Sequence, residues 1–268
     1  PRFLFSRRPP LLHPFRPPRR SGSSEALTLD QAGLSSGCLL NQLLRSDADR
    51  EASPSMSPTR QNLMAAMSWL VRDCQPGDSL VFYYSGHGLQ QPDLDGDELD
   101  GADEGLCPVD YLTEGLIVDD DVNALIVRPL PHGVKLHAIV DTCHSGSVLD
   151  LPYSWNLNRY GYYQWEMYSR SVKGTSGGLA ICFSSSRDDQ TTFETTASNG
   201  QAMISPMTFS ITEAVQKSVT GITYDYLLQN IHRTIGGIQV QAPGSSLRQM
   251  AQLSSSGMFD VKQEMFVL

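Results

Sequence analysis

Two short apolar runs constrain this chain more than any other feature: SLVFYY at 79–84 and KLHAIV at 135–140. Each is too short for a buried helix and rich in aromatic or aliphatic residues. Neither alternates with polar positions, so both faces must be covered, as in the inner strands of a parallel sheet. GGLAICFSSS, 177–186, reads as a third such strand. Between and beyond the runs lie helical patterns. SPTRQNLMAAMSWLVRDC, 57–74, places Leu63, Met67 and Leu70 on one face, with Ser57 or Thr59 as its cap. GLIVDDDVNALI begins as a short strand and turns helical, and SPMTFSITEAVQK and TYDYLLQNIHRTI are helical, while MFDVKQEMFVL supplies a last strand. Strands alternating with helices predict an α/β fold with a largely parallel sheet.

Both inner runs end in chemistry. The first leads into Ser-Gly-His87-Gly88 and the second into Asp141-Thr-Cys143-His144-Ser145-Gly146. Parallel strands deliver their C-terminal residues to one sheet edge, so His87 and Cys143 are expected side by side. A thiol with its free pKa near ~8.5 is mostly protonated at neutral pH, and an adjacent imidazole is the usual activator. His144 is a poor partner, because neighbours on an extended chain point to opposite faces. Ser145 lacks the first glycine of a G-x-S-x-G elbow. That leaves Cys143 as nucleophile and His87 as base, with the N–H groups of Gly88 and Cys143 cradling an oxyanion. The same residues are equally compatible with a buried structural thiol beside a loop histidine.

Composition narrows the class. Of 268 residues 40% are hydrophobic, yet no stretch approaches the ~20 apolar residues of a membrane span and no secretory segment is visible. Five scattered cysteines without a C-x-x-C pair argue for a reducing, cytoplasmic setting. Residues 1–24 hold six Arg and six Pro with no acid, which leaves 20 − 6 = 14 basic against 29 acidic residues for the remainder. Residues 1–26 therefore read as a disordered leader, an organelle transit peptide or a partner-binding polyproline arm. The acidic remainder repels phosphates and excludes nucleic acid as a partner.

The acidity concentrates at 93–121, with twelve Asp/Glu and no Lys or Arg. Such a stretch needs solvent or a cation, and hard oxygen ligands suit Ca²⁺. An EF-hand reading puts Asp93, Asp95, Asp97 and Glu104 at the ligand positions. It fails because Glu98 stands where the loop demands Gly.

In order along the chain, SLVFYYSGHG, DLDGDELDGADEGLCPVD and DTCHSGSVLDLPY resemble the core of type I metacaspases, which are caspase-like cysteine peptidases. The similarity continues through SSSRDDQTT and QLSSSGMFDV, roughly residues 57–268. The resemblance implies a caspase–haemoglobinase fold: an α/β domain with a mostly parallel central sheet flanked by helices. Residues 27–152 would form the large-subunit-like part, 153–176 a linker and 177–268 the small-subunit-like part. It implies a dyad of His87 and Cys143, a monomer, and polypeptide substrates cut after Arg or Lys. Ser85 and Asp141 match its pocket positions, and a carboxylate there selects a guanidinium or ammonium group. It further implies Ca²⁺ held by Asp103, Asp119, Asp120 and Asp150, and self-cleavage within the linker at Arg159, Arg170 or Lys173. One departure stands out. The family's second pocket aspartate has no counterpart, Asn41 and Gln42 lying where it is wanted, and residues 1–56 lack a clear first or second strand. A catalytically impaired, partner-binding scaffold is the alternative that this departure raises.

Overall fold

The computed structural model describes residues 2–8, 40–45, 57–94, 96, 98, 101–167, 173–187, 195–196, 203–217, 221–241 and 250–267. The chain enters through β1 (Arg2–Arg8), β2 (Leu40–Arg45), α1 (Arg60–Val71) and β3 (Ser79–Ser85). It continues through β4 (Gly88–Pro92), β5 (Ala102–Leu106), α2 (Tyr111–Glu114) and β6 (Ile117–Val118). Then α3 (Asp119–Val122) runs into a π-helical turn over Asn123–Val127, followed by β7 (Lys135–Asp141). A hairpin of β8 (Tyr153–Leu157) and β9 (Tyr163–Met167) precedes β10 (Leu179–Ser184). The remaining elements are β11 (Thr195–Thr196), β12 (Met203–Ile204), α4 (Pro206–Lys217), β13 (Ile222–Thr223), α5 (Tyr224–Gln241), β14 (Gln252–Ser255) and β15 (Met265–Phe266).

Eight strands form the main sheet in the order β2-β1-β3-β7-β10-β14-β8-β9. Its centre, β3-β7-β10, is parallel and is made of the three apolar runs. The flanking pairs are antiparallel. Strand alternation splits the core into two layers. On one face Leu80, Phe82, Tyr84, Leu136, Ala138 and Val140 pack against Leu63, Met67 and Leu70 of α1, all without solvent exposure. On the other, Val81, Ile139, Ile181 and Phe183 meet Met207 and Ile211 of α4 and Leu227 and Ile231 of α5. Helix α1 begins where the sequence places its cap: the Thr59 side chain accepts the Asn62 N–H at 3.3 Å. Truncating Leu63 or Leu70 to Ala would cost ~2–5 kcal/mol, the range for fully buried leucines.

Three expectations are corrected. Residues 2–8, read as part of a disordered leader, are β1 and pair along their whole length with β3. The rest of that leader lies outside the described residues. The strands missing from the reading of 1–56 are therefore present as β1 and β2. Their Arg and Gln content masks the pattern, but RFLFSRR keeps Phe3 and Phe5 in alternation. Residues 153–167, read as linker, are a hairpin whose first strand extends the main sheet through β14. Trp155 and Trp165 meet edge-on at 5.3 Å across it, and the Trp165 indole N–H donates to the Phe259 carbonyl at 2.9 Å. Among the described residues no helix is long and apolar enough to cross a membrane.

Candidate active site

The register of β3 and β7 sets the site. Ser85 pairs with Asp141 at the last rung, and the Gly86 N–H still reaches the Asp141 carbonyl at 3.3 Å. His87 and Cys143 each lie two residues beyond that rung, at the same edge. The two turns touch: a Cβ on Gly88 would stand 2.4 Å from the Cys143 carbonyl oxygen and 2.7 Å from Thr142 Oγ1. Only glycine tolerates that approach. The Cys107 N–H bonds the His87 carbonyl at 3.1 Å, which makes 87/107 a hydrogen-bonded pair of the β4–β5 ladder. Gly88, opposite Leu106, is consequently in a wide pair and turns its own N–H away from β5. The buried Tyr84 side chain supports the same turn, its hydroxyl donating to the His87 carbonyl. Nothing in the sequence reading singled out Tyr84; its place at the end of an apolar run makes it look like core alone.

Four cysteines are described, and Cys143 alone among them is not buried. Burial pushes the Cys107 thiol up to about 11 and the Cys182 thiol up to about 12, so neither supplies thiolate at neutral pH. The His87 ring is exposed at the same edge. Strand β7 ends at Asp141, so Cys143 and His144 belong to a turn, with His144 at φ 51°. Strand alternation therefore does not decide between His144 and His87; the contact of the two turns at Gly88 favours His87. Ser145 is fully buried and engages Ser186 at 3.4 Å, which makes it a brace. Ser185 and Ser186 reinforce that brace, their hydroxyls donating to the Thr142 carbonyl at 3.1 and 3.0 Å. In the sequence they stand at the end of the third apolar run and in the SSSRDDQTT stretch, with nothing local to mark this role.

Asp141 points to the α4 side of the sheet. It is 5% exposed, its carboxylate accepts from the Thr208 hydroxyl at 2.5 Å, and Ser205 and Ser185 also bond it. Burial raises its pKa above the usual carboxylate range, and these hydroxyls oppose the rise. Ser85 has the same strand parity and is half-buried. Asn41 and Gln42 do not belong here. They sit mid-strand on β2, opposite Ser6 and Phe5 of β1, with β1 between them and β3. The positions level with Ser85 are Arg2 on β1 and, beyond it, Arg45 on β2.

The acidic stretch converges only in part. Carboxylate oxygens of Glu98, Asp119 and Asp150 lie within 4.8 Å of one another. Asp119 accepts the Glu104 N–H at 2.9 Å and the Asp120 N–H at 2.8 Å. Burial and the Asp150 charge push the Asp119 carboxyl up to about 8, and burial with the Asp150 contact raises Glu98 as well. The donor set, hard oxygens crowded against mutual repulsion, fits a divalent cation such as Ca²⁺. Of the four aspartates named from the sequence, Asp119 and Asp150 join this cluster. Asp103 instead accepts from Gln91 at 3.2 Å, and Asp120 pairs with Lys173 at 2.6 Å. Glu98, dismissed with the EF-hand, belongs to the cluster, and only its distance from Asp150 in sequence concealed that. Arg159 lies in the β8–β9 turn with its guanidinium over the Tyr160 ring at 4.9 Å, and Arg170 is outside the described residues.

The "Metacaspase, peptidase C14 domain" family matches residues 27–152. Metacaspase-1 of Arabidopsis thaliana is 46% identical over 242 residues, covering 82% of this chain and 66% of its own length. Metacaspase-2 of the same plant is 49% identical over 202 residues, covering 74% and 48%. Metacaspase-1 of Coccidioides immitis is 57% identical over 108 residues, covering 40% and 23%. The chain thus spans about a quarter to two thirds of the length of these relatives. A parallel-centred α/β sheet with a histidine turn packed on a cysteine turn at one edge, and these likenesses, place the chain in the metacaspase family of cysteine peptidases.

Proposed function

We propose that this chain is a calcium-dependent cysteine endopeptidase that cleaves after Arg or Lys, with Cys143 as nucleophile and His87 as general base and acid. The observation that carries the reading is the packing of Gly88 on Thr142–Cys143, which fixes the two turns at one edge. In this reading His87 takes the Cys143 proton and Sγ attacks the scissile carbonyl. The oxyanion is held by the N–H groups of Gly88 and Cys143. His87 then gives its proton to the leaving amine, and a water activated by the same ring hydrolyses the thioester. Asp141, oriented by Thr208, Ser185 and Ser205, has no cationic partner among the described residues. A substrate guanidinium or ammonium supplies one, which favours basic residues before the scissile bond.

Calcium would be held by Asp119 and Asp150 with Glu98 and would neutralise their repulsion. Asp150 follows the nucleophile turn by seven residues, so ordering it steadies that turn. Self-processing in the 159–173 region follows from the same specificity.

One observation favours a second reading, a catalytically impaired scaffold: the strand positions level with Ser85 carry Arg2 and Arg45, not an acid. Hydrolysis of a fluorogenic peptide ending in Arg, with calcium and with chelator, decides between them. Calcium-dependent turnover that disappears in Cys143→Ala supports the peptidase. Folded protein without turnover on Arg, Lys or neutral peptides supports the scaffold.

A further inference from the structure

Lys173 reaches into the acidic cluster. Its ammonium lies 2.6 Å from Asp120 Oδ1 and 2.9 Å from Asp150 Oδ2, and its side chain is only 11% exposed. Asp150 is 1% exposed and shares the carboxylate triad with Glu98 and Asp119. So deep a lysine is uncommon unless its charge is met, and here two carboxylates meet it. The ammonium meets only one member of the triad, Asp150, which leaves the oxygens of Glu98 and Asp119 for a stronger cation. Just downstream the chain is pinned: the Ser176 hydroxyl donates to the Arg128 carbonyl at 2.8 Å, and Ser176 bridges to Pro131. Lys173 thus stands just ahead of an anchored stretch that leads into the central strand β10.

We propose that Lys173 is the acidic cluster's built-in cation, and that a divalent ion binds there only by expelling it. The inference rests on reading the cluster as a calcium site. Calcium and the Lys173 segment then compete for Asp150, and binding one releases the other. As a candidate cut site Lys173 is masked while its ammonium is engaged, and calcium exposes it. Calcium would in this way both order the nucleophile side of the cluster and free the peptide bond after Lys173.

The test uses the full chain carrying Cys143→Ala, which removes self-cleavage. Calorimetric titration with calcium chloride is compared between that protein and the same protein with Lys173→Met, which keeps the side chain's length without its charge. Competition predicts roughly tenfold tighter calcium binding in the Met variant, within the ~5–150-fold range of coupled sites. A second measurement needs no change at Lys173. Trypsin cleavage after Lys173, followed by mass spectrometry, should be slow in chelator and accelerate several-fold in calcium, relative to cleavage after Arg159 in the exposed hairpin turn. Equal calcium affinity in the two proteins, or cleavage at Lys173 that ignores calcium while calcium binds, overturns the proposal and leaves the calcium site standing. Absence of calcium binding in both proteins removes the calcium reading and the proposal with it.

Discussion

Gly88→Ala offers a sharp test of the site, because it adds one methyl group without touching a reactive atom. The added Cβ would lie 2.4 Å from the Cys143 carbonyl oxygen and 2.7 Å from Thr142 Oγ1. Bringing the shorter contact to even a tight 3.0 Å requires 3.0 − 2.4 = 0.6 Å of separation between the turns. Neither side yields easily. The Thr142 carbonyl is held by Ser185 and Ser186, and the His87 carbonyl by Cys107 and Tyr84. Overpacking of this kind costs ~1–3 kcal/mol of stability. A displacement approaching an ångström between nucleophile, base and oxyanion donors costs about 100-fold in rate. We therefore expect kcat/KM on an Arg peptide to fall roughly 100-fold, while thermal unfolding stays cooperative with Tm lowered by several degrees. A Gly88→Ala protein with wild-type kcat/KM and Tm would refute the claim that the His87 and Cys143 turns are in contact.

Further outcomes follow from neighbouring contacts. Ser145→Ala should retain activity within a few-fold, since that hydroxyl braces Ser186, whereas Cys143→Ala should abolish turnover; an inactive, fully folded Ser145→Ala protein would reassign the nucleophile. Thr208→Val removes a donor to Asp141 and should raise KM for Arg peptides roughly tenfold with a smaller effect on kcat, Thr208→Ser restoring it. Equal KM values for the two variants would show that the hydroxyl does not orient the pocket acid. His137 is buried against the Tyr224 hydroxyl at 2.6 Å, and burial lowers its pKa to about 3. A lowered base pKa gives stability that is present above about pH 6.5 and lost as pH falls toward 3. Unfolding free energies from denaturant titrations should drop across that window by up to ~1.4 kcal/mol per pH unit, and His137→Leu should flatten the slope.

The inner strands were legible because burial on both faces leaves no freedom in residue type. SLVFYY and KLHAIV became β3 and β7 in the expected order, and at the edge they share the turn after His87 touches the Cys143 turn through Gly88. The helix cap at Thr59 and the stripe of Leu63, Met67 and Leu70 were equally plain. What escaped was held by long-range partners. Gln252, Ser254 and Ser255 are polar yet buried in β14, because β10 pairs with their backbone, and the Ser255 hydroxyl turns to the carbonyls of Ala180 and Gly257. Nothing local in QLSS announces that. The β8–β9 hairpin failed for a different reason. Its aromatics do alternate in YQWEM, but their density reads as surface until Phe259 is known to lie against Trp165.

The acidic stretch shows where sequence spacing stops being informative. Counting from the EF-hand template discarded Glu98, and matching the family pattern selected Asp103 and Asp120 beside Asp119 and Asp150, yet the carboxylates that converge are Glu98, Asp119 and Asp150. Convergence is decided by the small sheet β4-β5-β6, which starts at Gly88 in the histidine turn and ends at Val118, just before Asp119. The other end of the cluster is decided by Asn123, whose amide donates to the Leu149 carbonyl at 2.9 Å and so seats Asp150 after the cysteine turn. Charge in the cluster is thus tied through backbone to both reactive turns. Neutralising it relieves repulsion between the two segments that must stay together for catalysis. Asn123→Ala, remote from substrate, should therefore weaken calcium binding and raise the calcium concentration needed for half-maximal activity. Turnover at saturating calcium should be little changed. An Asn123→Ala protein with reduced maximal turnover but an unaltered calcium midpoint would break that link.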